Sequence, residues 1–203
     1  MHALALVALI GAATFVPAFR MWPLLWVVPL AAYAALVAVV PPLRATFRPW
    51  RFGRVSTPTV AATVIIAVGS CAVLVAFHSR THPDVSAYGS FLPVSALGGV
   101  LAVGVLFSVF NALFEEVIFR GVLFDAVESQ WGVWVAVVAT AFLFGYGHMR
   151  GYPPGPLGAV LAGIYGLCIG WLRVFSAGIG LPVIAHIAAD ATIFTIVARS
   201  GVL

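Results

Sequence analysis

The chain holds 203 residues, 63% of them apolar and only 8% charged, with a mean hydropathy of +1.14. An average soluble domain carries roughly 25% charged residues, so this composition excludes a soluble globular protein and fits one bundle of membrane helices. The net charge of +4 comes from ten basic residues, all Arg, against six acids. Four of the Arg fall in one short loop, which reads as a topology signal and not as a nucleic-acid surface.

Taken in order, residues 3–19 and 22–43 are two apolar runs near the ~20 residues that a span requires. No basic region precedes the first, since Met1-His2 lead straight into it, so it reads as a retained membrane helix and not a secretory leader. Arg44, Arg48, Arg51 and Arg54 follow and place their loop on the cytoplasmic side, with Trp22, Trp26 and Trp50 expected as interfacial aromatics. Residues 58–78 form a third span. The polar stretch from Ser79 to Ser90 reads as an external loop, with His78 and His82 as solvated histidines at its edge.

From Phe91 to Val127 the chain stays apolar apart from the charged cluster, too long for one straight span, so it is either one long helix reaching well past the membrane or a helix broken near Gly98-Gly99 or Gly121. Asp125, Glu128, Ser129 and Gln130 mark its cytoplasmic exit. Trp131 to Gly147 returns across the membrane to His148, and Arg150–Pro156 is a Pro/Gly breaker. Leu157 to Phe175 carries Gly158, Ala162, Gly166 and Gly170, a small-residue spacing that suits close helix packing. The last helix is expected from about Leu181 to Ala198. Cys71 and Cys168 lie in apolar segments and read as packing residues, with neither a disulfide framework nor a zinc pattern. The expectation is an all-α, polytopic bundle of about seven spans, N-terminus cytoplasmic and C-terminus external. Residues 1–90 are N-terminal membrane helices with the Arg loop, and residues 91–203 are the functional core.

Within that core, Leu113–Gly121 sets Glu115, Glu116 and Arg120 among apolar residues. A charge at bilayer depth costs at least ~2.5–3.5 kcal/mol, so three within six positions require partners, water or a function. On a helix, Glu116 and Arg120 are four apart with the acid N-terminal, the favourable order for an ion pair. Glu115 is rotated about 100° away and shares its face with Asn111, the only Asn in the chain. The doublet therefore divides into a supporting carboxylate, Glu116, and a working one, Glu115. His148 ends the run Phe144-Gly-Tyr-Gly-His148, and His186 and Asp190 stand one turn apart on the last helix. Together these groups supply a carboxylate base, two imidazoles and a third acid. Those are the parts for activating water and stabilising an oxyanion, or for a divalent-metal site.

Glu115-Glu116-x-x-x-Arg120, Phe144-x-x-x-His148 and His186-x-x-x-Asp190, in this order and in separate apolar segments, resemble the signature of the CPBP family of intramembrane endopeptidases. That family includes the CAAX prenyl endopeptidases and bacterial proteins of bacteriocin processing or immunity. The resemblance covers about residues 95–198. It implies a multi-pass protein of a bacterial or archaeal cell membrane that hydrolyses a membrane-proximal or C-terminal segment of a membrane protein or peptide. By position, Glu115 and His148 activate water, His186 and Asp190 stabilise the oxyanion, and Glu116, Arg120 and Asn111 support the site. No His-Glu-x-x-His motif occurs, and no cofactor or obligatory metal is expected. Asp190 departs from the prenyl endopeptidases, which have Asn there. An ionised Asp cannot donate a hydrogen bond, so either its apolar surroundings protonate Asp190 or, the preferred reading, Asp190 accepts a hydrogen bond from His186 and favours the imidazolium. The competing functions are a non-catalytic immunity or scaffold protein and, third, an ion-coupled transporter, although no internal symmetry between halves is visible.

One geometric tension accompanies this reading. Counted at 1.5 Å per residue, Glu115 lies ~18 Å from its cytoplasmic exit and His148 ~25 Å from Trp131. His186 is only a few residues into its helix. The three meet only if the 176–180 loop dips inward or a helix is broken.

Overall fold

The computed structural model describes residues 2–47, 50–85 and 97–201. Arg48, the 86–90 part of the external loop and the 91–96 start of the long apolar segment lie outside the described residues. The described chain is helical, with no strand among these residues. In order it forms α1 (His2–Ala13), a 3-10 turn (Pro17–Arg20), α2 (Leu24–Val39), α3 (Pro41–Thr46) and α4 (Thr57–Thr81). Then come α5 (Leu97–Glu116), a π-helical stretch (Val117–Leu123), α6 (Phe124–Trp131), α7 (Val133–Gly147), a 3-10 turn (His148–Arg150), α8 (Gly155–Ser176) and α9 (Gly180–Gly201).

Five helices are long and apolar enough to cross a membrane: Thr57–Thr81, Gly98–Trp131, Val133–Arg150, Gly155–Ser176 and Gly180–Ser200. The two N-terminal runs counted toward seven form helices of 12 and 16 residues, short of a full span. Prolines set those limits. Pro17 opens the turn after α1, Pro23 precedes α2, and Pro41 starts a separate short helix. A proline lacks the N–H that would continue the helical ladder and clashes with the preceding turn. Many large apolar side chains on the spanning helices are exposed, Ile65 and Phe142 at 71% each. Such a surface belongs in lipid, not water.

The ends of α4 show how local chemistry sets an element. Ser56 and Thr59 form a capping box, with the Ser56 N–H donating to Thr59 Oγ1 at 2.9 Å. His82 closes the helix in the left-handed conformation, at φ 43°, with its N–H donating to the His78 carbonyl. His78 is therefore in the last turn of α4, half-buried with its ring 6.4 Å from Tyr152, and is not a loop histidine. His82 is exposed, as expected.

The small residues of α8 do what their spacing implied. A Cβ on Gly166 would stand 3.0 Å from Ala141 Cα, and one on Gly145 would stand 2.6 Å from the Ala159 carbonyl oxygen. α7 and α8 thus meet backbone to backbone along Gly145, Gly166 and Gly170. Gly166→Leu is expected to force the helices apart, with an overpacking cost of about 1–3 kcal/mol. A lower melting temperature of the detergent-solubilised variant is the expected readout. A melting curve matching wild type would show that the contact is slack.

α9 runs through the middle of the bundle, against α4, α5 and α8. Leu74, Phe77 and Val85 from the N-terminal part share one apolar cluster with Tyr152, Ala189 and Val197. The free Cys71 is among the packing residues, its Sγ donating to the Ala188 carbonyl at 3.4 Å.

Candidate active site

The doublet on α5 is resolved by helix phase. Glu116 Oε1 accepts from the Arg120 guanidinium at 3.0 Å, with both side chains fully buried. Arg120 also donates to the Gly166 carbonyl at 3.1 Å and lies 4.6 Å over the Phe144 ring. Glu115, on the neighbouring face, accepts from Asn111 Nδ2 at 3.2 Å. Its second oxygen, Oε2, is buried without a hydrogen-bond partner. Glu116 Oε2 is likewise buried without a hydrogen-bond partner, so the two carboxylates differ in that Glu116, and not Glu115, meets the Arg120 guanidinium.

Just past the doublet the helix widens into seven residues of π-helix, Val117–Leu123. The helix is not broken at Gly121: Gly98–Trp131 runs on as one 34-residue helix that only widens here. Gly121 lies against the Trp50 indole so closely that a Cβ there would be 2.6 Å from Nε1. Altered backbone pairing is compensated by a side chain, since Arg173 Nε donates to the Arg120 carbonyl at 3.2 Å. Arg173 also pairs with Asp125 at 3.1 Å. Asp125 is buried, so it is a bundle contact and not simply a marker of the membrane exit.

α9 brings His186 to the doublet. Its Nδ1 lies 2.7 Å from Glu116 Oε1. A carboxylate accepts only, so Nδ1–H is the donor. Nε2 then faces two other acids, 3.6 Å from Glu115 Oε2 and 3.7 Å from Asp190 Oδ1. The expected hydrogen bond from His186 to Asp190 is not made at that distance. The shared helix face brings the two together, but the imidazole turns its donor to Glu116. Asp190 Oδ2 instead accepts from Asn111 Nδ2 at 3.2 Å. One amide therefore bridges Glu115 and Asp190.

Asn111 is itself held by Trp26, whose Nε1 donates to Oδ1 at 3.3 Å. An indole N–H can only donate, so it turns the amide oxygen toward α2 and the NH2 group toward the two acids. Trp26 and Trp50, expected at the interface, instead face into the bundle; Trp22 is 37% exposed and touches Phe107. No signal in the sequence marks which tryptophan turns inward.

His148 opens the 3-10 turn after α7. Its Nδ1 donates to the Phe144 carbonyl at 2.8 Å, which leaves Nε2 as the acceptor nitrogen of the neutral ring. The Phe144 ring stands between the histidines, 4.4 Å from His148 and 5.7 Å from His186. His148 and Glu115 are not in direct ion-pair contact among the described residues. They approach the site from different sides.

A cavity of about 300 Å³ lies among α4, α7, α8 and α9. Its walls are mainly apolar, with Ile65, Val73 and Leu161 among them, and its polar lining includes His148, Tyr165, His186 and Asp190. Glu115 adjoins this lining, its Oε2 3.6 Å from His186 Nε2. The Tyr165 ring packs edge-on to His186 at 5.6 Å. Tyr165 was not singled out from the sequence, where a lone tyrosine in a span carries no signal. Among the described residues, no three His, Cys, Asp or Glu side chains are set out as a metal-ligand group.

His186, six residues into α9, comes within 3.6 Å of Glu115 and 2.7 Å of Glu116. Residues 51–54 fold in against the turn between α8 and α9, with the Ile179 and Gly180 N–H groups donating to the Arg51 and Phe52 carbonyls at 2.9 Å each. Gly178 and Gly53 are so close that a Cβ on either would strike the other's backbone.

Residues 97–192 match the model of a protein family described as type II CAAX prenyl endopeptidase Rce1-like. No curated protein and no solved structure matches the chain.

Proposed function

We propose, from the match of residues 97–192 to the Rce1-like peptidase family, that the chain is an intramembrane endopeptidase of the glutamic type. It cleaves a membrane-proximal or C-terminal segment of a membrane-associated protein or peptide. The observation that carries this reading is the His186 imidazole. It is fixed at Nδ1 by Glu116 and presents Nε2 between Glu115 and Asp190 at the wall of an apolar cavity.

In this mechanism Glu115 takes a proton from water as the water oxygen attacks the scissile carbonyl carbon. The carbonyl π pair moves to oxygen, and the resulting oxyanion is held by His186 donating from Nε2 when protonated. On collapse the C–N bond breaks and the leaving nitrogen takes the proton from Glu115. His148 acts from the opposite side of Phe144, where its Nε2 can accept from water. Glu116 and Arg120 hold His186 in place, and Asn111 keeps Glu115 and Asp190 together. The low dielectric of an apolar cavity strengthens each of these interactions.

The test compares membranes from cells producing wild type, Glu115→Ala and His148→Ala, with new protein termini identified by mass spectrometry. Termini that appear with wild type and vanish with both variants are expected. An identical set in all three would end the peptidase reading and favour a non-catalytic membrane scaffold.

A further inference from the structure

An account of hydrogen-bond donors at the cavity wall exposes a gap in the chemistry just described. Asp190 stands where the resemblance expects an amide, and an ionised carboxylate cannot donate. The Asn111 NH2 group is engaged by Glu115 and Asp190. Arg120 is fully buried and donates to Glu116 and Gly166. The Nδ1–H groups of His148 and His186 are committed to the Phe144 carbonyl and to Glu116. Ser70 Oγ donates to the Ala67 carbonyl. His186 Nε2 can donate only when the ring is doubly protonated, and a tetrahedral oxyanion is ordinarily met by two donors or more.

Tyr165 supplies the missing one. It lines the cavity with His186 and Asp190, and its ring is positioned edge-on to both His186 and, less steeply, Phe144. Its hydroxyl is buried and has no hydrogen-bond partner among the described residues. The Tyr165 ring lies 5.6 Å from that of His186, which with Asp190 forms the polar part of the cavity wall. A buried, unpartnered hydroxyl carries a desolvation cost that a bound acceptor would relieve.

Resting on the peptidase reading above, we propose that Tyr165 is a catalytic residue whose O–H donates to the carbonyl oxygen of the scissile bond and to the oxyanion formed from it. The tyrosine keeps its proton throughout. Attack by water places the carbonyl electron pair on oxygen, and the phenol holds that charge by a hydrogen bond. Collapse returns the pair to C=O as the C–N bond breaks. Unlike an imidazole, the neutral phenol donates without first taking up a proton, and it does not add a second negative charge beside Asp190.

The experiment uses the full-length protein in lipid vesicles and a quenched peptide spanning a bond whose cleavage in membranes requires Glu115. Tyr165→Phe keeps the ring and removes only the donor. It is expected to lower kcat about 100-fold while KM stays within about threefold, as for an interaction made chiefly in the transition state. Incorporating 3,5-difluorotyrosine at position 165 retains the hydroxyl but makes it more acidic. The alkaline limb of kcat against pH should then move to lower pH, a change that loss of packing would not cause. This second measurement decides the matter if Tyr165→Phe misfolds. A kcat for Tyr165→Phe within threefold of wild type overturns the proposal, as does an unmoved alkaline limb in the fluorinated protein. If no bond is cleaved in a Glu115-dependent way, the peptidase reading itself fails and takes this proposal with it.

Discussion

Glu115→Gln is expected to lower turnover by about 10³-fold while leaving the bundle folded. The amide keeps the size of the side chain and retains an oxygen that can accept from Asn111, as Glu115 Oε1 does at 3.2 Å. What it loses is the capacity to take a proton from water, an effect worth roughly 10²–10⁴ in rate. Glu116→Gln makes the contrasting case. It leaves the fully buried Arg120 without its carboxylate and weakens the anchor of His186 Nδ1, so stability should fall along with activity. Cleavage of a Glu115-dependent peptide and thermal melting in detergent, measured on both variants, separate the two roles. A stable, inactive Glu116→Gln beside an unstable Glu115→Gln would reverse the assignment.

Arg120→Met should be among the most destabilising single changes in the chain. The guanidinium is 0% exposed, pairs with Glu116, caps the Gly166 carbonyl and stacks on Phe144. Removing one partner of a buried ion pair costs about 3–5 kcal/mol, because the other charge is left uncompensated. For a chain of this size that corresponds to a melting temperature lower by roughly 10 °C. The double variant Glu116→Gln/Arg120→Met removes both charges and should melt above Arg120→Met alone, giving a coupling energy from the four-member cycle. If Arg120→Met melts like wild type, or the double variant is no better than the single, the pair is not the brace described above.

Which parts of this site could be read in advance follows from the range of the interactions. Contacts within one helix were legible, because a period of 3.6 residues places i and i+4 on the same face. Glu116 with Arg120 and Asn111 with Glu115 are such pairs, and both are present. His186 and Asp190 are also i and i+4, yet they sit 3.7 Å apart without a hydrogen bond. Sharing a face brings two groups near each other but does not choose their partners. A residue 70 positions away, Glu116, took the imidazole's donor.

The amino-acid sequence by itself determined that this is a helical membrane bundle, which segments are apolar, and that Glu116 is the glutamate that pairs with Arg120. Composition, hydrophobic length and helical phase are properties of short stretches, and they suffice for those conclusions. Only the tertiary structure decided that Trp26 sets the Asn111 amide. It likewise decided that α4 lines the cavity and that the Tyr165 ring packs edge-on against His186. Each of these depends on how one helix is rotated and sunk against another. That is settled by backbone contacts such as Gly145 with Ala159 and Gly53 with Gly178, which no single segment encodes.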